Sequence, residues 1–431
     1  MQSPSLFFRT AFRSPRLDYI LQEVLGRRLE VDYALIGMDD EPPQGKPCLT
    51  YGIPGGDADY SDSGILRETG TGNWKMEAEA DGPVLIGQNG KIRNDFFGAA
   101  FWLLSRYEEY MPVIPDEHGR FPDNAHEVLT LKRDLPLVEI WAEKLRKHLQ
   151  SLGIQCKKAE PSADYSIDWD NPTAYLHKGI FRQTGAAASD LLRGNFAGLS
   201  ERLMVMAGRK ADPYDNLGSR IPADLLRGKR IFFWVGDYGK HDKGLSWKNS
   251  WYRHQIKNLS KEMLPGLHPS YASFEKPEKI AEEKKRLETI TGSEIKASRF
   301  HFLRFRLPHS YRILEQAGIS DDFSMGFSEF PGFRAGTAFP FQWFDLEKNQ
   351  TGKLLIHPFS LMDSSRAFRG NSNDAFLQES KRQMQEGSKY AFPVSAIFHN
   401  EHPHWKGWEN TIRAYAETGL KTLLEAEADR R

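Results

Sequence analysis

Short apolar runs recur through the last two-thirds of the chain, and most end on an ionisable or polar residue. The runs are residues 165–170, 231–236, 264–268, 297–302, 322–326, 338–344, 354–359 and 394–399. Their length is typical of buried strands. Helix-like stretches separate several of them, at 247–263, 278–291, 310–316 and 375–385. Strands separated by helices pair in parallel, so the pattern predicts an α/β fold, a distorted barrel of seven or eight (β/α) units.

The first 160 residues have a different pattern. Strand-like pieces at 30–36 and 83–86 lie among Gly-rich turns, and amphipathic helices are predicted over 96–110 and 136–152. The polar stretch 157–162 contains Pro161 and is a candidate linker. We therefore predict an N-terminal α/β accessory domain over 1–160 and the barrel over 161–431.

Composition limits the classes of function. Lys and Arg total 58 and Asp and Glu total 58, whereas nucleic-acid binding usually needs a basic excess, so no nucleic-acid partner is expected. The two cysteines, Cys48 and Cys156, have no metal-binding spacing and predict neither a disulfide scaffold nor a zinc ribbon. No apolar stretch approaches the ~20 residues of a membrane span. These features favour a cytoplasmic protein, and they leave the oligomeric state open.

Residues that can do chemistry stand where the predicted strands end. They include Asp168, Asp170, Asp237, His268, Arg299, His301, Asp322, His357, His399 and Asn400. Because strand ends converge in a barrel, distant residues can meet at one site. Carboxylates and imidazoles can hold a divalent metal while a further carboxylate takes a proton from water. A histidine can then protonate a leaving group. The set is typical of metal-assisted hydrolysis.

The ordered motifs resemble the polysaccharide deacetylases of carbohydrate esterase family 4, especially divergent two-domain members. The matching segments are FWLLSRYEEY at 101–110, DEHGRF at 116–121, IFFWVGDY at 231–238, GLHPSYAS at 266–273, SRFHFL at 298–303, DFSMGF at 322–327, GFRAGT at 332–337 and FHN at 398–400. The resemblance implies a distorted barrel, a divalent metal and removal of N- or O-linked acetyl groups from an acetylated sugar or oligosaccharide. We expect zinc, with cobalt, manganese, nickel and iron as alternatives.

The same resemblance assigns roles to residues. It makes Asp168 the catalytic base, with Arg299 orienting it, and His399 the general acid. Asp170 and His268 match metal ligands. The family's second motif has another histidine four residues after the first, but position 272 is alanine here. We expect His301, on the adjacent predicted strand, to replace the missing ligand.

Four further residues are weaker candidates for substrate contact. Asp237, Asp322 and Asn400 follow predicted strands, and Trp234 offers a flat face that could stack on a sugar ring. His399, His402 and His404 could suggest a second metal cluster, but Pro403 and Trp405 predict a loop there.

Two other functions remain open at this stage. The alanine at position 272 could mean that metal binding is lost, leaving an inactive carbohydrate-binding or assembly module on the same barrel. A glycosidase that uses Asp168 with a second acid is the other alternative, and its activity would survive chelation.

Overall fold

The N-terminal part of the chain contains two small sheets. In the computed structural model, which describes residues 4–79, 82–87, 90–125, 133–215, 217, 221–368, 373–401 and 408–428, the first sheet is parallel with the order β2-β1-β3-β4. Its strands are β1 Leu6–Thr10, β2 Tyr33–Ile36, β3 Cys48–Tyr51 and β4 Ala58–Tyr60. An antiparallel sheet follows, with β5 Lys75–Glu79, β6 Gly82–Gly87 and β7 Gly90–Arg93.

Helices join these sheets to the rest of the molecule. They are α1 Pro15–Leu21, continued by a π-helical segment Gln22–Arg28, then α2 Phe96–Leu104 and α3 Leu137–Ser151. Every residue of α2 is buried, because the apolar side chains surround the whole helix. The predicted helix over 96–110 ends earlier than expected: Arg106 takes a left-handed conformation, and a 3-10 turn Tyr107–Tyr110 follows.

A nine-stranded sheet forms the centre of the C-terminal part. Its strands are β8 Ala163–Trp169, β9 Arg230–Phe233, β10 Leu264–Leu267, β11 Ala297–Ser298, β12 Asp321–Asp322, β13 Phe341–Asp345, β14 Gln350–Ile356, β15 Leu361–Met362 and β16 Val394–His399. The order is β13-β14-β12-β11-β10-β9-β8-β16-β15. Each of the eight predicted runs overlaps a strand, although the run at 322–326 shares only Asp322 with β12, and β15 is an additional strand.

The predicted barrel is not closed. Within the described residues, β13 and β15 lie at opposite ends of the strand order and do not pair with each other. The pairs are parallel except for β13 with β14, which is antiparallel and contains a register shift. A short connection of residues 346–349 links these two strands, and such a connection permits a hairpin but not a parallel crossover. The mixed α/β class and the parallel pairing are confirmed.

Helices pack along the large sheet. They are α7 Ser250–Glu262, α8 Pro277–Thr291, α9 His309–Gln316, α10 Asn373–Tyr390 and α11 Trp408–Ala428. Helices α7 and α8 contact β10, α9 contacts β14, α10 contacts β16 and α11 contacts β8. The insertion after β8 carries α4 Ile180–Leu192 and α5 Phe196–Met206, and a single turn, α6 Ala223–Leu226, precedes β9.

The N- and C-terminal parts share one hydrophobic core. Helix α1 contacts β14 and α2 contacts β13, and Phe101 packs edge-on against Phe344 with ring centroids 5.2 Å apart. One cluster of buried apolar side chains includes residues from both parts. The boundary predicted near residue 160 stays a prediction. In the described part of the chain, no helix has the length and apolar character needed to cross a membrane.

Candidate active site

Parallel pairing brings the first aspartate and the last histidine together. Strand β8 lies between β9 and β16, and Asp168 is in register with His399 on β16. Asp168 is buried, and its Oδ2 lies 3.6 Å from His399 Nε2. Residues 231 apart in sequence thus meet because the carboxyl ends of parallel strands share one edge of the sheet.

Three buried residues form a group that could hold a metal ion. Asp170, just after β8, lies with Oδ1 2.9 Å from His268 Nε2 and Oδ2 3.7 Å from His301 Nε2. One ligand atom from each residue lies within 4.8 Å of the other two. Burial would raise the pKa of Asp170, but His268 and His301 outweigh it and hold the pKa well below its usual range. The carboxylate therefore stays ionised.

The hydrogen bonds behind this group fit metal binding. His268 Nδ1 lies 2.6 Å from the Arg299 carbonyl oxygen, which can only accept, so Nδ1 carries the proton. In the neutral ring, Nε2 presents a lone pair toward Asp170 Oδ1, which lies 2.9 Å away, and both atoms are buried. Two buried acceptors at this distance are costly unless a proton or a cation lies between them. A divalent metal can take that place, and one carboxylate with two imidazoles is a donor set that fits it.

His301 can serve as the third metal ligand in place of the histidine that is absent at position 272. It lies at the start of a 3-10 turn, His301–Leu303, just beyond β11 and not within the predicted strand. Its Nδ1 lies 3.1 Å from Asp242 Oδ1, and Asp242 also accepts hydrogen bonds from the backbone N–H groups of Tyr271 and Ala272. The residue at position 272 thus fixes the carboxylate that orients His301. Carboxylates commonly orient metal-binding histidines in this way.

Asp168 is held by a buried arginine. Arg299 Nη1 donates to Asp168 Oδ1 at 2.6 Å, and both side chains are almost fully buried. The other guanidinium nitrogens donate to Ser166 Oγ and to the Phe323 carbonyl oxygen. A guanidinium with all of its nitrogens engaged is rigid, so Arg299 fixes the position of Asp168.

His399 has a partner that sequence reasoning missed. Asp363, fully buried just after β15, lies with Oδ1 2.6 Å from His399 Nδ1, and its Oδ2 accepts from the His399 backbone N–H. Burial would lower the pKa of His399, but Asp363, aided by Asp168, raises it to about 10. The imidazole is therefore protonated at neutral pH. Strand β15 has only two residues, which explains why no strand was predicted before Asp363.

These groups open onto one cleft of about 430 Å³. Asp168, Asp170, His268, His301 and His399 all line it, and Asp242 and Asp363 do not. The volume lies within the range usual for small-molecule sites. Three lining residues, Glu117, His118 and Arg120, come from the N-terminal part, which the sequence had not assigned to the site.

The four weaker candidates do not line the cleft. Asp322 is fully buried and accepts hydrogen bonds from Ser298 and Ser324. Trp234 is 1% exposed and donates to Asp242. Asp237 forms an ion pair with Arg286.

The fourth candidate, Asn400, donates to the carbonyl oxygens of Asn171 and Tyr214. Each of the four side chains is engaged in hydrogen bonds or an ion pair outside the residues that line the cleft, and their contact with a substrate stays a prediction. His357 also lies apart from the cleft, with its ring stacked on Phe323. His402 and His404 lie outside the described residues.

A family model described as "Family of unknown function (DUF7033)" matches residues 6–154. No curated protein matches the chain.

Several solved structures are similar at low identity. A "putative polysaccharide deacetylase" from Mycobacterium smegmatis has 11% identity and a TM-score of 0.38, over 64% of this chain and 92% of that one. The polysaccharide deacetylase Bc1974 from Bacillus cereus has 12% identity and a TM-score of 0.30, over 62% and 88%. IcaB from Ammonifex degensii has 16% identity and a TM-score of 0.22, over 38% and 84%. These scores are too low to establish a shared fold.

Proposed function

We propose that this protein is a metal-dependent hydrolase that removes acetyl groups from a carbohydrate. The observation that carries the proposal is the grouping of Asp170, His268 and His301 in a cleft that also holds a fixed carboxylate, Asp168, and a protonated imidazole, His399. The resemblance of the sequence motifs to polysaccharide deacetylases supplies the acetylated sugar as the substrate class.

Asp170 Oδ1, His268 Nε2 and His301 Nε2 would hold the metal. A divalent cation bound there supplies Lewis-acid chemistry, which polarises an acyl carbonyl and makes water more acidic. Zinc is the cation we expect, since one carboxylate and two imidazoles form a common zinc ligand set. Cobalt, manganese, nickel or iron could serve in its place.

Asp168 is the proposed general base. Its Oδ1 is occupied by Arg299, while its Oδ2 lies toward His399 and the cleft. Arg299 keeps the carboxylate in place, so Asp168 can accept a proton from the attacking water.

His399 is the proposed general acid. Its Nδ1–H is held by Asp363, which leaves Nε2–H on the side of Asp168 and the cleft. It gives this proton to the leaving nitrogen or oxygen of the sugar as the bond to the acetyl carbon breaks. Asp363 stabilises the charged ring before that transfer and fixes which nitrogen donates.

The decisive experiment measures metal content and acetate release together. We expect near-stoichiometric metal in the purified protein and release of acetate from N- or O-acetylated sugars that stops with chelator and returns with zinc. Asp168→Asn and His399→Ala should each lower turnover by at least about 100-fold, as expected for a lost general base or acid. Asp170→Asn should lower metal content.

Asp39→Asn is the matched control, because Asp39 is an exposed carboxylate outside the cleft. It should leave metal content and turnover unchanged. Full turnover in both Asp168→Asn and His399→Ala would contradict the mechanism. A protein that binds acetylated sugars but neither holds metal nor releases acetate would instead be an inactive carbohydrate-binding module. Acetate-free cleavage of a glycosidic bond that survives chelation would identify a glycosidase.

A further inference from the structure

The loop of residues 116–120 belongs to the N-terminal part but lies at the cleft. Glu117, His118 and Arg120 line the same cavity as Asp168 and His301. The side chain of Glu117 is 87% exposed, whereas the side chains of His118 and Arg120 are mostly covered. The Glu117 side chain is therefore accessible to a ligand, with one oxygen 3.7 Å from His118 Nε2, while its neighbours hold the loop.

Asp116 makes this loop a rigid turn. Its Oδ1 accepts hydrogen bonds from the backbone N–H groups of His118 and Arg120, both at 2.9 Å. Its Oδ2 accepts from Arg120 Nε at 2.7 Å. Gly119 has φ of +76°, a conformation that glycine adopts without strain. The position of Glu117 is thus set by its neighbours.

The loop also holds the turn that carries His301. Arg120 Nη1 donates to the Phe302 carbonyl oxygen at 2.5 Å, and Arg304 Nε donates back to the His118 carbonyl oxygen at 2.7 Å. Phe302 and Leu303 have φ values of +60° and +48°, which are uncommon for bulky residues. Such a conformation persists only where surrounding contacts hold it.

Contacts on both sides of the loop fix it to the C-terminal part. Before the loop, Glu109 forms a buried two-point ion pair with Arg334, with both N–O distances at 2.9 Å. After it, Asp123 accepts hydrogen bonds from the backbone N–H groups of Ser328 and Glu329. Ser328 and Glu329 themselves line the cleft. The N-terminal part therefore forms one side of the cleft together with these residues. We call this side, residues 116–120 with Phe302, Ser328 and Glu329, the wall.

The charges of the wall suit a neutral, hydroxyl-rich ligand. Carboxylates at Glu117 and Glu329 line the cleft, where they would repel an anion. The nearby cations are paired, Arg120 with Asp116 and Arg366 with Glu329. Phe302 keeps 39% of its surface exposed and lines the cleft as an apolar face. Carboxylates bind sugar hydroxyls, and an aromatic face suits the C–H face of a sugar ring.

We infer that the N-terminal part supplies one wall of a binding site for a neutral oligosaccharide, with Glu117 contacting sugar hydroxyls and Arg120 acting as a positioning residue for the Phe302 turn. This inference rests on the proposed function for the acetyl group of the ligand, but sugar binding by the wall can be tested without turnover. The N-terminal part is then a component of the site and selects its substrate.

The test measures binding of the β-1,4-linked tetramer of N-acetylglucosamine and of acetylated xylotetraose to the chelator-treated full chain by calorimetry. We expect the wild type to bind at least one of them and Glu117→Ala to bind it about 3- to 10-fold more weakly, the usual range for one lost hydrogen bond. Glu278→Ala, an exposed carboxylate on α8 outside the cleft, is the matched control and should bind like the wild type.

Arg120 is tested by rescue. Arg120→Ala should weaken oligosaccharide binding and also weaken zinc retention in a chelator competition, because the turn of His301 loses its support. Arg120→Lys keeps one donor for the Phe302 carbonyl and should restore part of both. A merely structural role would lower the melting temperature of both variants without separating them in zinc retention.

The outcomes separate this inference from the proposed function. If the wild type releases acetate but Glu117→Ala and Arg120→Ala bind and turn over both tetramers normally, the inferred sugar-binding role of the wall is contradicted. The proposed hydrolase activity would still be supported. If the protein holds no metal and releases no acetate, but Glu117→Ala still weakens oligosaccharide binding, the sugar-binding role of the wall is supported and the proposed hydrolase activity is contradicted. Absence of binding to both tetramers overturns the wall.

Discussion

His399 Nδ1 lies 2.6 Å from Asp363 Oδ1, and Asp363 is fully buried. The second oxygen of Asp363 accepts the backbone N–H of the same histidine. One carboxylate therefore fixes both the backbone and the ring of His399, and only Nε2 is directed toward Asp168. This pairing determines the protonation state of the proposed acid, and it can be tested directly.

Asp363→Asn should lower the pKa of His399 from about 10 toward its ordinary value. A histidine with a raised pKa stabilises the fold fully below about pH 6.5, and this contribution is lost as pH rises through about 10. The variant should therefore be less stable than the wild type below about pH 6.5, and its stability should depend less on pH between about 6.5 and 10. Histidine titration by NMR and urea unfolding at several pH values, both in chelator-treated protein, measure the effect. An unchanged His399 titration would contradict the pairing.

Asp242→Asn should weaken metal binding by about 10- to 100-fold, the usual effect of removing a carboxylate that orients a histidine ligand. The physical reason is that His301 Nδ1 loses an ionised acceptor 3.1 Å away. Competition with a zinc-sensitive chelator measures the affinity. Asp39→Asn serves as the control, and equal zinc affinity in both variants would show that Asp242 does not support His301.

Zinc should stabilise the folded chain, because the donor set is assembled only in the native state. Stabilisation of about 2.7 kcal/mol is expected when free zinc exceeds its dissociation constant 100-fold. His268→Ala removes one ligand atom and should abolish most of the increase in melting temperature. His254→Ala, at an exposed position on α7, should keep it. An equal zinc-induced increase in melting temperature in both variants would mean that zinc binds at another site.

Glu283→Gln should flatten the pH dependence of stability between about pH 4.5 and 7. Burial raises the pKa of Glu283 to about 7, although hydrogen bonds from Ser270 oppose this shift. A raised carboxyl pKa means that its stabilising contribution is present at low pH and lost as pH rises through about 7, by about 3 kcal/mol in total. Urea unfolding of the variant, compared with Glu278→Gln on the same helix, measures the difference. Parallel curves for the two variants would argue against an uncharged Glu283.

Glu109→Gln should destabilise the protein by about 3–5 kcal/mol, because it leaves the charge of Arg334 buried without an ionised partner. Both side chains are at most 3% exposed. Replacing the pair together, with Glu109→Leu and Arg334→Met, should recover only the part of that loss that comes from Arg334, because the buried Arg106 also pairs with Glu109 at 2.8 Å. Chemical denaturation measures all three proteins. A single variant as stable as the wild type would mean that the pair contributes little.

The strands of the large sheet were predictable where they are long and apolar. The run at 394–399 coincides with β16, and the run at 165–170 overlaps β8 almost completely. Strands β11 and β12 contain only two residues each, so the runs at 297–302 and 322–326 predicted strands that were too long. Strand β15, also of two residues, is too short to produce a periodic signal and was missed. The strands paired in the described residues do not close into the predicted barrel, because closure depends on pairing between strands at the two ends of the sheet, which local patterns do not encode.

The candidate site also combines residues that a local sequence pattern identifies with residues that only tertiary contacts bring to the site. Asp168, Asp170, His268 and His301 follow apolar runs, so their strand-end positions could be read from the sequence. Asp242 and Asp363 are fixed by contacts with histidines 59 and 36 residues away. Glu117 belongs to a segment that has no strand leading to the site. Such residues carry no local signal, because only tertiary packing brings them close.

The buried carboxylates of the N-terminal part have a consequence for how this chain can change in evolution. Glu109 pairs with Arg334, Glu139 accepts hydrogen bonds from Thr337 and Ala338, and Asp123 serves Ser328 and Glu329. A foreign N-terminal part without acids at these positions would leave buried donors unmatched. The two parts therefore cannot be exchanged between relatives as independent modules, and changes on one side of this seam should be inherited together with changes on the other.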